Sequence, residues 1–363
     1  MSIEEQVTRW IRPDIRSLSA YHVPDASGLI KLDAMENPWT WPEGLRQEWL
    51  ALLHGTDVNR YPDPQARALT EQLRQAMDVP AGMAMLLGNG SDEIIQMLAM
   101  AVNGPGRCIL SLEPGFVMYR MIAIWCGMDY VGVPLKGADF SLDMPALRQA
   151  VADHDPALIF LAYPNNPTGN LFDENDLLEL LEMAPGLVVV DEAYAPFADA
   201  SFMSRLGQYD NLLVMRTVSK LGLAGLRLGM LAGPSAWLEQ IDKLRMPYNI
   251  NVLTQATARF ALAHHEVLDE QTALIRRERE KLLETLPSLQ GINAYPSQAN
   301  FILVRTAPAR AEPLFNALLE GGVLVKKLHG SHPLLEDCLR FTVGRPEENA
   351  RLLEIVQEFA AHG

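Results

Sequence analysis

The sequence predicts an α/β protein: a large domain with a mostly parallel seven-stranded sheet, joined to a smaller α+β domain. Two observations carry this. From about residue 83, short apolar runs such as Leu158-Ile-Phe-Leu-Ala162 and Leu187-Val-Val-Val190 alternate with amphipathic stretches. Runs apolar at every position belong to strands covered on both faces, the setting of a parallel sheet. After Asn251 the pattern changes to a long helical period running through Leu268 and Arg277 to Leu286, and three more strand-like runs follow.

The first 44 residues, rich in Pro, Trp and Tyr, show little regular pattern and are expected to form an arm that packs on the second domain or on another subunit. The large domain, residues 45–255, should place strands at 84–87, 108–112, 130–134, 158–162, 188–190, 212–216 and 228–232. Helices at 91–102, 144–152 and 174–183 should lie between several of these. The small domain, residues 256–363, should place strands at 301–304, 323–326 and 339–342, with helices between and after them.

Composition narrows the function. The 363 residues are 48% hydrophobic and 21% charged, enough for a large buried core, and the net charge is −15. Such a field repels phosphate backbones and anionic lipid, so neither nucleic acid nor membrane is an expected partner. Met1 to Arg16 mixes charges with isolated apolar residues, unlike a signal peptide, and no apolar run could span a bilayer. Cys108, Cys126 and Cys338 are an odd number at wide spacing without a paired motif. These features fit packed thiols in the cytoplasm.

Four segments carry chemistry. Val188-Val-Val-Asp-Glu-Ala-Tyr194 ends an apolar strand in a carboxylate, and ligands of open α/β sheets lie beyond the carboxyl ends of strands. A buried Asp191 needs a cationic partner, such as a protonated pyridine nitrogen, although an Asp there also suits a local turn cap. Leu213-Val-Met-Arg-Thr-Val-Ser-Lys220 ends another strand in a lysine, followed by a glycine-containing turn up to Arg227. A desolvated Lys220 near other cations becomes a nucleophile; a solvated loop lysine does not. Leu86-Leu-Gly-Asn-Gly-Ser-Asp-Glu93 joins a strand to a helix start that suits a single phosphate at Gly90 and Ser91, and it lacks the third glycine of a dinucleotide fingerprint. Tyr163-Pro-Asn-Asn-Pro-Thr-Gly169 must be a defined loop, whose Asn amides can donate to a ligand or simply serve the turn.

Taken together, Gly90-Ser91-Asp92, Asn165 to Gly169, Asp191 to Tyr194, and Ser219-Lys220 with Arg227 resemble fold-type I pyridoxal-phosphate-dependent transferases, in this order and at these intervals. Within that group the chain is similar to the histidinol-phosphate aminotransferase family through Leu18-Ser-Ala-Tyr21, Leu32-Asp-Ala-Met-Glu-Asn-Pro38, Asn59-Arg-Tyr-Pro62, Ala224-Gly-Leu-Arg227 and Leu339-Arg-Phe-Thr-Val-Gly344. The resemblance implies that Lys220 holds pyridoxal 5′-phosphate as a Schiff base and shuttles a proton, and that Asp191 pairs with the pyridine nitrogen. It implies that Tyr194 and Asn166 bond the phenolic oxygen and that Phe116 stacks on the ring. The phosphate would be held by Gly90, Ser91, Asp92 through its backbone, Thr217, Ser219 and Arg227. Tyr61 would reach the cofactor of a neighbouring subunit, which implies a homodimer. Substrate would meet Arg340, Asn300, Lys326 and Tyr21. The implied reaction moves an amino group between histidinol phosphate and 2-oxoglutarate.

Two positions depart from the family's pattern: Met35 stands where Asn is frequent, and Lys326 where Arg is frequent. Lys keeps the charge and loses the two-pronged hydrogen bond. The same fold also serves aromatic aminotransferases, phosphoamino-acid decarboxylases and non-catalytic sensor modules; a sensor would need a DNA-binding domain, for which the first 44 residues are too short and irregular. His329-Gly-Ser-His332, a glycine-containing loop taken to lack a nearby carboxylate pair, is not read as a metal site, and His264-His265 should point to different sides of a helix.

Overall fold

The computed structural model describes residues 1–20 and 23–361. The chain opens with α1 (Ile3–Trp10), α2 (Pro13–Arg16), β1 (Ile30–Leu32), α3 (Glu43–His54) and α4 (Arg67–Ala76). An alternating run follows: β2 (Ala84–Asn89), α5 (Gly90–Val102), β3 (Cys108–Glu113), α6 (Val117–Cys126), β4 (Asp129–Pro134), α7 (Met144–His154), β5 (Leu158–Ala162), α8 (Glu174–Met183) and β6 (Leu187–Asp191). Then come β7 (Leu212–Thr217), β8 (Leu228–Gly233), α9 (Ser235–Ile241), α10 (Val252–Ala263) and α11 (His265–Thr285). The chain finishes with β9 (Ile292–Ala294), β10 (Phe301–Thr306), α12 (Ala311–Glu320), β11 (Val323–Lys327), β12 (Cys338–Thr342) and α13 (Pro346–Ala361). Each strand expected from the sequence forms, lengthened by up to two residues.

Seven strands make one sheet in the order β2-β8-β7-β6-β5-β3-β4, in which only β8 runs antiparallel to its neighbours. Alternate residues feed two cores. Leu110, Ile159, Leu161, Val188 and Val190 pack on one face, while Ile109, Leu158, Phe160, Leu187 and Val189 pack on the other. That explains the unbroken apolar runs: both pleat directions meet helices, so no position is left to water.

The strand directions place the site. The carboxyl ends of β3, β5, β6 and β7 lie along one edge, and β2, twice reversed through β8, ends there as well. Because β8 is reversed, its first residue, and Arg227 before it, come to that same edge. Five separate loops therefore converge.

The second sheet, β1-β11-β12-β10-β9, packs against α11, α12 and α13 through Ile302, Phe341, Ile275, Leu314 and Leu352. Tyr194 and Phe197, from the loop after β6, also enter this core and tie it to the site. Here the structure corrects the expectation of an irregular arm. Ser2 and Glu5 form a reciprocal cap that starts α1, and Ile30 to Leu32 add a parallel edge strand beside Val323 to Val325. Both segments are too short for a periodic signal, and the strand exists only because a distant edge accepts it.

The long helical period is likewise two helices. His264 ends α10 and His265 begins α11, so the two imidazoles belong to a helix junction. His329 Nδ1 accepts the Asp337 amide at 3.0 Å, and His332 Nδ1 accepts the Leu334 amide at 3.1 Å. Glu336 and Asp337 do come within 3.4 and 3.7 Å of His329, a carboxylate pair that the sequence reading did not place there. No helix of the described residues is long and apolar enough to cross a membrane.

Candidate active site

At the shared strand edge, a cavity of about 380 Å³ is lined by Ser91, Asp92, Phe116, Asn166, Asp191, Tyr194, Thr217, Ser219, Lys220 and Arg227. Lys220 sits in the tight turn that follows β7. Its Nζ lies 3.5 Å from the Ala34 carbonyl and 5.7 Å from the centre of the Tyr194 ring. Burial, then the nearby Arg340 and Arg227 charges, lower its pKa to about 8. An amine so placed is neutral far more often than a surface lysine, which is what nucleophilic attack and proton exchange require.

Asp191 is the last residue of β6 and is buried. Its Oδ2 accepts a 2.6 Å bond from the Tyr119 hydroxyl and its Oδ1 accepts the Ala193 amide at 3.1 Å. Burial still outweighs these donors and raises the carboxyl pKa to about 6. Among the described residues no cation forms a salt bridge with it, so the carboxylate is held ready for a cation brought by a ligand.

Tyr194, Asn166 and Arg340 form a chain. Arg340 Nη1 donates to Asn166 Oδ1 at 2.5 Å, and Asn166 Nδ2 donates to the Tyr194 hydroxyl at 3.2 Å. Burial pushes the Tyr194 phenol well up, so its proton stays available to donate into the cavity. Arg340 also donates to the Asp33 carbonyl at 2.9 Å and lies over the Phe301 ring.

The opposite rim suits an anion. The first turn of α5 presents the backbone amides of Ser91 and Asp92. The hydroxyls of Thr217 and Ser219 stand 2.8 Å apart, and the half-exposed Arg227 guanidinium reaches over to Asp92 at 3.1 Å. Gly90 makes this approach possible: its φ is +77°, and a β-carbon there would lie 2.7 Å from Arg227 Nη2. Gly90→Ala is therefore expected to destabilise the fold by about 1–2 kcal/mol, the cost of a left-handed alanine. It should also weaken phosphate binding to the purified protein, measured by calorimetry; unchanged affinity would remove Gly90 from the rim.

The remaining predicted residues are dispersed. Asn300 is fully buried beside the cavity, where its Nδ2 is spent on the Met35 carbonyl. Lys326 pairs with Arg340 across β11 and β12, so both side chains leave the same face of the sheet. Tyr61 is 79% exposed and stacks on Tyr248 at 4.4 Å, outside this cavity. Tyr21 lies outside the described residues. The departure at Met35 has a backbone meaning: its φ is +53°, a conformation that Asn tolerates better than Met. A larger groove of about 780 Å³ borders the far side of Thr217 and Leu221 and includes the buried Arg216–Glu192 pair.

Residues 28–356 match the family model described as aminotransferase class I and II. The chain belongs to the aminotransferase class I and II family. It is 56% identical over 98% of both chains to a protein of Nitrosococcus oceani named histidinol-phosphate aminotransferase 2. It is 52% identical to a histidinol-phosphate aminotransferase of Chromobacterium violaceum, over 97% of this chain and 98% of that one. Its fold matches the crystal structure of the histidinol-phosphate aminotransferase of Sinorhizobium meliloti in complex with pyridoxal-5′-phosphate, with a TM-score of 0.85, 24% identity and coverage of 97% and 98%.

Sequence reasoning gave no role to several residues at this cavity. Tyr119 bonds Asp191, and Ala34, Met35 and Glu36 close one wall of the cavity. Tyr119 stands three residues after Phe116, a spacing that puts both on one side of the helix start and could have drawn attention. The Ala34–Glu36 wall lies within Leu32 to Pro38, a segment that carries the family resemblance, but it offered no chemical signal of its own.

Proposed function

We propose that this aminotransferase moves an amino group between L-histidinol phosphate and 2-oxoglutarate, giving imidazole acetol phosphate and glutamate, with pyridoxal 5′-phosphate as cofactor, in histidine biosynthesis. The observation that carries this is the pairing of a largely buried lysine and a buried carboxylate in one cavity with an anion-binding rim. High identity to proteins named for that substrate supports it.

The residues fit the cofactor by their donor set. Gly90, Ser91, the Asp92 amide, Thr217, Ser219 and Arg227 would hold its phosphate, and Asp191 its ring nitrogen. Tyr194 and Asn166 would hold its phenolic oxygen, and Phe116 would stack on the ring. Bound there, the cofactor supplies a carbonyl for amine exchange and a ring that accepts electrons. Lys220 Nζ takes up and returns the proton of the substrate's amine-bearing carbon. Arg340 and Lys326 are like charges on one face of the sheet. With Asn300 behind them and Tyr21 from the arm, they would bind the phosphate or carboxylate end of either substrate.

The enzyme is read as a cytoplasmic homodimer, with an arm (residues 1–44), a large cofactor domain (45–255) and a small domain (256–363). The exposed Tyr61–Tyr248 stack, with Val58 and Met246 also exposed, is the surface that a second copy would cover, bringing Tyr61 to that copy's phosphate rim. Light scattering should give twice the chain mass.

The test is a half-reaction followed by cofactor absorbance. Histidinol phosphate and glutamate should each bleach the loaded enzyme, whereas histidinol without phosphate should not. Bleaching by phenylalanine in preference to histidinol phosphate would move the substrate class.

A further inference from the structure

Tyr119, in the first turn of α6, is buried, and its ring is fixed on two sides. It stacks on Phe160 of β5 with centroids 4.6 Å apart and planes 3° apart, and meets Phe116 edge to face at 5.5 Å. These contacts aim the hydroxyl at Asp191 Oδ2, 2.6 Å away. The other oxygen is held by the Ala193 amide. A carboxylate bonded from both sides cannot rotate, so its remaining lone pairs keep one direction.

We propose that Tyr119 is a positioning residue for Asp191, donating to Oδ2 so that the carboxylate is fixed in orientation and favoured as an anion toward a bound ring cation. The proposal rests on the reading of Asp191 as partner of the cofactor nitrogen. Asp191 is faced by Asp92 from α5, Tyr119 from α6, Glu192 and Tyr194 beyond its own strand, and Lys220 across the cavity. Burial, Asp92 and Glu192 favour its protonated form, while Tyr119 and the Ala193 amide oppose it. Tyr119 is the first of those two opposing groups, so losing its hydroxyl shifts the balance toward the neutral acid.

Tyr119→Phe keeps both ring contacts and removes only the donor. Purified wild type, Tyr119→Phe, Asp191→Ala and the double variant are titrated with pyridoxal phosphate by fluorescence, from about pH 5 to about pH 9, across the range where a buried carboxyl titrates. Tyr119→Phe should bind about tenfold more weakly at neutral pH, the scale of a hydrogen bond to a charged group. Its loss of affinity on the acid side should begin at higher pH than in wild type, and the nitrogen-15 resonance of labelled cofactor should move toward the unprotonated position. In the Asp191→Ala background the same change should cost almost nothing. A difluorotyrosine at position 119, a stronger donor of the same shape, should move the acid limb the other way. A Tyr119→Phe protein that binds and titrates like wild type overturns the proposal, as does an equal loss in both backgrounds, which is the mark of packing alone. Wild-type affinity in Asp191→Ala would instead sink the reading of Asp191 itself, and the proposal with it.

Discussion

Lys220→Met is expected to abolish transamination while making the cofactor-free protein more stable. Turnover should fall by about 10⁴-fold or more, the upper range for a lost general acid–base group, since no other amine lines the cavity among the described residues. The stability gain follows from burial. Lys220 has its pKa lowered from 10.5 to about 8, so holding it charged at neutral pH costs about 3 kcal/mol relative to the unfolded chain. A lowered lysine pKa means that the unfolded chain binds the proton more tightly between these values. Wild-type stability should therefore rise as pH increases from about 8 toward 10.5, and the variant should lack that rise. Urea melts of the two cofactor-free proteins across this window check the sign; equal slopes would show that the ammonium is not buried at a cost. Detectable single-turnover exchange by the variant would remove Lys220 from the chemistry.

Asp191→Asn should cost turnover about a hundredfold or more, the usual scale for losing one preorganised charge partner. It too should stabilise the empty protein at neutral pH. The carboxyl pKa is raised from 3.8 to about 6, so the contribution of this group is fully present below 3.8 and is lost as pH rises through 6. The ionised carboxylate then costs about 3 kcal/mol at pH 7, and the net gain on substitution should be about 1–2 kcal/mol, because an NH2 in place of Oδ2 cannot accept the Tyr119 hydroxyl proton. Thermal melts with and without pyridoxal phosphate separate the two effects: the cofactor should raise the wild-type midpoint more than that of the variant. An equal rise in both would argue against a charge interaction between Asp191 and the ring. The two predictions share one cause. Lysine and aspartate are each held in a setting that disfavours their charge, and a ligand with a basic ring nitrogen and an electrophilic carbonyl relieves both.

Much of this was legible in the chain. The strands came from apolar runs that stay apolar at every position, a pattern sufficient because it reports burial on both faces rather than a local preference. Strand-end logic put Asp191 and Lys220 each at the carboxyl end of a strand, and the family resemblance supplied the expectation that they and Gly90 share one site. Arg227 was also legible, as the residue that a glycine-containing turn could return to the same pocket, whereas the reversal of β8 that carries it there was not.

What stayed hidden depends on contacts distant in sequence. The bond from Tyr119 to Asp191 spans 72 residues, that from Arg340 to Asn166 spans 174, and the amide of Asn300 is occupied by Met35 across 265. No window of sequence contains such pairs. β1 forms because β11 offers an edge, and the pKa values of Lys220 and Asp191 are set mainly by how much protein surrounds them. The sequence alone determined which strands form, which edge they share and which side chains reach it; only the tertiary structure decided how deeply those side chains are buried and who holds them, because desolvation and partner choice belong to the packed chain as a whole.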